Sequence, residues 1–251
     1  MKIHYIKSVS IKRTLEQIRS MPLYTHPSAF LWRKCLSVNN QFCEAVVHSG
    51  YLSWEQMFSA SCRYCVGASK LRGVIFWQID HEGRVHDGKV MYYLPDCHRN
   101  KDRSAHPTWV SALLAKRNRH PRSTSSHCFF GQHLLAEDAQ CSMPVAIVEA
   151  EKSDLILSEL YPEYIWLATG GLCEVQPDKF RALRGRKVVM FPDTDSTCIA
   201  FRRWSEAADE VAHSVFWEGA PPIRVSPLLE LNATPEQKER KIDLVDFLFE
   251  N

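Results

Sequence analysis

The sequence predicts an α+β N-terminal region followed by an α/β domain, a mostly parallel sheet flanked by helices. Three observations carry that expectation. From residue 144 onward short apolar runs alternate with helical stretches, the pattern of a parallel sheet. Two of those runs, 145–148 and 188–191, are closed by acids: Glu149 after the first, Asp193 and Asp195 after the second. Upstream, a strand-like run at 73–80, a Gly-containing turn at 81–83 and a second run at 84–93 read as a β-hairpin.

Taken in order, residues 1 to about 70 read as helical and irregular. Short helices are expected at 10–21, stopped by Pro22, then at 29–36, 41–49 and 53–60, the last begun by Ser53. The hairpin follows. The stretch 95–126 is polar, basic and punctuated by Pro107 and Pro121, with one short helix expected at 108–115. An apolar run at 128–135 leads into a linker at 136–143, and the domain boundary is expected between 140 and 141. Beyond it come strand 144–149, helix 151–160, strand 165–168, the turn Thr169-Gly170-Gly171, helix 176–184 and strand 187–192. Helix 196–211, with Ser196 as candidate N-cap, strand 213–217 and a final helix at 241–250, begun by Asp243, complete the chain.

The 251 residues allow one or two domains. Lys and Arg total 31 against 29 Asp and Glu, so bulk charge declares no partner. Local charge is more telling. Between 98 and 122 stand Arg99, Lys101, Arg103, Lys116, Arg117, Arg119 and Arg122 against one acid, Asp102. A second cluster comprises Lys179, Arg181, Arg184, Arg186 and Lys187. Such stripes suit a phosphate backbone, with a solvated surface loop as the competing reading. Nine cysteines without framework spacing favour reduced thiols in a cytoplasm. No run approaches about 18 apolar residues, so neither a membrane span nor a signal peptide is expected. Cys62-x-x-Cys65 is a lone pair, which Cys97-His98 would have to complete for a four-ligand zinc site; zinc is not expected.

The acids carry the chemistry. In open α/β sheets ligands bind at the C-terminal edge of the strands. Alternation along a strand would point Asp193 and Asp195 the same way, toward one metal region. Glu149 on a neighbouring strand can complete that site or act as general base for a 3′-hydroxyl. The competing reading is that the aspartates cap the following helix. Lys152, one turn into its helix, can meet a phosphate or simply face solvent. Gly170 and Gly171 can give phosphate access or make only a tight turn. Arg84 and Lys89 lie on the hairpin as candidate nucleic-acid contacts or ordinary surface residues.

A strand ending in Ile147-Val148-Glu149, a Gly-Gly turn, then Pro192-Asp193-Thr194-Asp195 resembles the toprim domain of bacterial primases, topoisomerases and some nucleases. The hairpin at 73–85, with its Asp80, Gly83 and Arg84, resembles the catalytic core of bacterial replicative primases. The chain is also similar to primase-related proteins of Bacteroides-type bacteria and their mobile elements, through Ile75-Phe76-Trp77-Gln78-Ile79-Asp80, Phe130-Gly131-Gln132-His133-Leu134-Leu135 and Trp166-Leu167-Ala168-Thr169-Gly170-Gly171. The resemblance implies a primase-core-like region over 1–140 and a toprim domain over 141–251. It assigns Glu149, Asp193 and Asp195 the catalytic and metal roles, with Asp243 and Asp246 matching a late acidic position. It implies Mg2+ or Mn2+, single-stranded DNA, nucleoside triphosphates and a replicative helicase as partner. A toprim nuclease and a non-catalytic nucleic-acid-binding protein are the alternatives. The sequence departs from the toprim pattern at Ala150, where Gly is usual, and at Ser196-Thr197-Cys198. Nothing before residue 60 resembles the primase zinc ribbon.

Overall fold

The computed structural model describes residues 36–116 and 127–250. The expected helix at 10–21 and almost all of that at 29–36 lie outside them. The chain forms two compact units, Met1–Cys128 and Phe129–Asn251.

The first unit is built on the hairpin. Strands β1 (Gly67–Ala68), β2 (Val74–Ile79), β3 (Val85–Met91) and β4 (Thr108–Trp109) make an antiparallel sheet in that order. Every residue of β2 is buried, because both faces are covered. Ile75, Trp77 and Ile79 pack with Val85, Val90, Val110 and Leu114. On the other face, Phe76 meets Phe42 edge-to-face at 5.4 Å, and Phe42 also packs on Tyr93. Phe42 belongs to α1 (Gln41–His48), whose N-cap Asn40 accepts from the Cys43 amide. Helix α2 (Trp54–Arg63) starts as expected at Ser53, in a capping box with Gln56. The expected helix at 108–115 instead begins with strand β4 and continues as α3 (Val110–Lys116). The switch has a cause: buried Asp87, on β3, accepts the Ser111 amide at 3.1 Å and the Ser111 hydroxyl, satisfying donors of the first helical turn.

The second unit is the parallel sheet, ordered β6-β5-β7-β8, with β5 at Val145–Val148, β6 at Ile165–Ala168, β7 at Val188–Met190 and β8 at Ile223–Val225. All three pairings are parallel. The α/β expectation therefore holds. Helix α4 (Glu151–Leu160) joins β5 to β6. The helix expected at 176–184 is a 3-10 helix, Pro177–Leu183. Helix α5 (Ile199–Ala212) precedes β8, and α6 (Leu228–Asn232), α7 (Pro235–Arg240) and α8 (Leu244–Glu250) end the unit.

Two expectations shift. The strand at 213–217 is a 3-10 turn over Val215–Trp217, in which Val215 is 87% exposed and the buried Trp217 indole donates to the Pro221 carbonyl. The sheet takes Ile223–Val225 instead. The linker at 136–143 is tied to the second unit, since the nearly buried Arg186 guanidinium donates to Asp138 Oδ2 at 2.6 Å and to the Leu135 carbonyl at 2.9 Å. Phe130, bridged to Ala168, belongs to the same compact unit as the parallel sheet. Among the described residues no helix is long and apolar enough to cross a membrane.

Candidate active site

The acids collect at the C-terminal edge of the parallel sheet. Glu149 follows β5 directly, and its carbonyl accepts the Gly170 amide at 2.9 Å. That bond needs the Thr169–Gly171 backbone to turn sharply after β6, and Gly170 does so at φ 86°. A 3-10 turn (Leu172–Glu174) follows, so Gly170 and Gly171 form a turn and no α-helix begins behind them. Asp193 comes from the neighbouring strand. Phe191 extends β7 by one bond, its amide donating to Ile147 at 2.8 Å; Pro192, with no N–H, ends the ladder, and Asp193 follows.

The carboxyl of half-buried Asp193 is held well above the usual carboxylate range. Burial is the first cause; the negative charges of Glu149, Asp243 and Asp246 add to it, and Lys152 opposes it. Glu149 thus opposes the ionisation of Asp193 at one sheet edge.

The second aspartate does something else. The expectation that Asp193 and Asp195 face one way rests on strand alternation, but β7 ends at Met190 and the alternation stops there. Asp195 is almost buried and accepts the Ala200 amide at 2.9 Å, the Thr197 amide at 2.8 Å and the Thr197 hydroxyl. Against the burial that would raise it, these bonds bring its carboxyl down to about 2. Cys198, not Ser196, takes the N-cap position of α5, and Asp195 supplies from three residues upstream an acceptor for the first-turn amide of Ala200.

Lys152 is neither exposed nor turned to solvent for a phosphate. Its ammonium lies 3.0 Å from Asp243 and 3.2 Å from Asp246. Asp243 also accepts the Ser153 hydroxyl at 2.7 Å and, as N-cap of α8, the Asp246 amide at 2.9 Å. Its burial would raise the carboxyl; the Lys152 charge and these bonds outweigh that and lower it. Among the described residues no three Asp, Glu, His or Cys side chains form a ready metal-ligand cluster. Glu149 and Asp193 nevertheless offer carboxylate oxygens, the donors that a hard divalent ion takes.

The basic candidates fall in the first unit. Arg84 is occupied by carboxylates, Asp80 at 2.7 Å and Glu82 at 2.6 Å. Lys89 is half-buried, paired across the sheet with Phe76 and Trp109. Arg99, Lys101 and Lys116 are exposed. Arg103 lies in a short 3-10 turn. Arg117 and Arg119 lie outside the described residues.

A family model described as Domain of unknown function (DUF6371) matches residues 40–194, more than half of the chain. The chain belongs to this family. The DUF6371 match takes in the hairpin, Glu149 and Asp193, and stops short of Asp195 and the C-terminal helices. The parallel four-stranded sheet of this DUF6371 chain is consistent with a toprim-like core. Among solved structures, the primase fragment of the bacteriophage T7 primase-helicase protein is similar to it with a TM-score of 0.41 and 14% identity, over 73% of this chain and 70% of that chain. No curated protein matches.

Sequence reasoning missed Glu230. Its carboxylate accepts the Thr194 hydroxyl at 3.0 Å and the Cys198 thiol at 3.2 Å. No local pattern marks it, because Thr194 and Cys198 lie more than 30 residues upstream. Ser153, bonded to Asp243 across 90 residues, was silent for the same reason.

Proposed function

We propose that this chain is a primase-type, metal-dependent nucleotidyltransferase acting on single-stranded DNA of a chromosome or mobile element in the cytoplasm. The reading is supported by one observation above all: Glu149 and Asp193 stand at the ends of adjacent parallel strands, and burial together with the Glu149 charge raises the Asp193 carboxyl. Two such carboxylates would hold Mg2+ or Mn2+, with water or phosphate oxygens filling out the shell. A bound ion would stabilise charge on the attacking and leaving oxygens of a phosphoryl transfer. Glu149 is also suited to take a proton from a 3′-hydroxyl. Asp195 and Asp243 serve the loop and helix that frame this pair. Arg99, Lys101, Arg103, Lys116, Arg117 and Arg119 supply the phosphate contacts for the strand, and a replicative helicase is the partner this role calls for.

The test is incubation with single-stranded DNA, labelled ribonucleoside triphosphates and Mg2+ or Mn2+, beside Glu149→Gln and Asp193→Asn. Metal-dependent primers lost in both variants are expected. Shortened DNA would make the chain a nuclease. DNA binding without product, unchanged by either substitution, would make it a binding protein and overturn the proposal.

A further inference from the structure

Asp193 is fixed from two sides. Upstream, Phe191 is bonded to Ile147 on β5, two residues before Glu149. Downstream, Thr194 is 1% exposed, and its amide donates to the Ile242 carbonyl at 3.1 Å. The Thr194 hydroxyl donates to Glu230 Oε1, while Glu230 Oε2 takes the Cys198 thiol. The two oxygens of one carboxylate thus brace both ends of the segment 194–198. The bond to Glu230 also raises the Cys198 thiol, which keeps it a neutral donor. Lys238 balances the charge, its ammonium 2.7 Å from the Glu230 carbonyl and 3.4 Å from Oε2.

The first turn of α5 does not depend on this brace, because Asp195 already accepts its Ala200 amide. What Glu230 adds is a hold on the residue next to Asp193. Two non-glycine residues in left-handed backbone flank the arrangement, Cys198 at φ 55° and Lys241 at φ 58°. Such residues persist where surrounding contacts over-determine them, and they concentrate at working sites.

We infer that Glu230, acting through Thr194, is a positioning residue that sets Asp193 against Glu149 for divalent-ion binding. The inference rests on the reading of Glu149 and Asp193 as the metal pair. Groups that orient metal ligands typically change affinity about ten- to a hundred-fold when removed.

The experiment titrates the full chain with Mn2+ by calorimetry, with a thermal melt on each variant. Thr194→Val and Glu230→Ala are expected to weaken Mn2+ binding by about ten- to a hundred-fold, and Thr194→Ser, which keeps the hydroxyl, to restore it. Thr194→Val keeps the side-chain shape, so it decides the matter if Glu230→Ala does not fold. Binding that Asp193→Asn abolishes but Thr194→Val leaves at the wild-type affinity overturns this inference alone. No Mn2+ binding by the wild type, or binding indifferent to Asp193→Asn and Glu149→Gln, overturns the metal reading and this inference with it.

Discussion

The ammonium of Lys152 lies 3.0 Å from Asp243, tying the first turn of α4 to the cap of α8. Both side chains are nearly buried, at 10% and 9% exposure. Removing one member of a buried pair leaves the other charge without compensation, which costs about 3–5 kcal/mol. Asp246, also in contact with Lys152, would be left in the same position. Lys152→Met is therefore expected to lower unfolding free energy by about 3 kcal/mol in urea titration. Adding Asp243→Asn should recover part of that loss. A single-variant loss under about 0.5 kcal/mol, the range of ordinary surface substitutions, would show that the pair is not a buried anchor.

The two aspartates of the Asp-x-Asp motif should separate experimentally. Asp195→Ala removes the acceptor for the Thr197 and Ala200 amides, and loss of hydrogen bonds to a charged group costs about 1.5–3 kcal/mol. Asp195→Asn retains an acceptor oxygen and should recover much of that stability. Metal-dependent activity should survive Asp195→Asn and disappear in Asp193→Asn. Equal loss in both would return Asp195 to the metal set. Paired urea titrations and turnover measurements decide between these outcomes.

These two acids also mark where sequence reading reaches its limit. Helix 151–160 and strand 165–168 were legible because each apolar pattern is long or sharply bounded. Glu149 and Asp193 were legible because both terminate buried runs. The alternation expected to align Asp195 with Asp193 was not legible, because the strand stops at Met190 and strand ends depend on pairing partners elsewhere in the chain. Val215–Trp217 has the composition of a strand, yet the Trp217 indole finds its acceptor at Pro221 within a turn. Lys152 reads in sequence as a phosphate contact or a solvent-facing lysine because its counter-charges lie at the start of the last helix of the chain. Local pattern encodes the elements; long-range ion pairs and caps are set only when those elements meet.

Acid should weaken the hairpin of the first unit. Asp80 is 3% exposed, accepts the Glu82 and Arg84 amides at 2.9 Å each, and faces the Arg84 guanidinium and the His86 ring. Burial would raise its carboxyl, but the bonds from His86 and Arg84 win and lower it. A carboxylate depressed in the folded state stabilises above the unfolded value of about 3.9 and loses that contribution as pH falls below it. The Tm of the wild type should therefore drop between pH 5 and 3 by more than that of Asp80→Asn, which has no carboxylate to protonate. At pH 7 the variant should be less stable by about 2 kcal/mol, the scale of hydrogen bonds to a charged group. Parallel Tm profiles for the two proteins would remove Asp80 from the account.

Gly88 is required by close packing rather than by a turn. It sits opposite Trp77 in the β2–β3 ladder. A Cβ there would come within 2.8 Å of both the Trp77 ring and Ile75. Both neighbours belong to the buried core of the first unit, so neither can swing into solvent. Gly88→Ala adds one methyl group to a filled space, and overpacking of this kind costs about 1–3 kcal/mol. Trp77→Phe, which removes part of the ring, should relieve the clash, so the double variant should lose less than the sum of the two single losses. Circular dichroism during urea unfolding, which does not depend on Trp77, measures each loss. Additive losses in the double variant would mean that the sheet moves away from the new methyl group and that Trp77 does not set the limit.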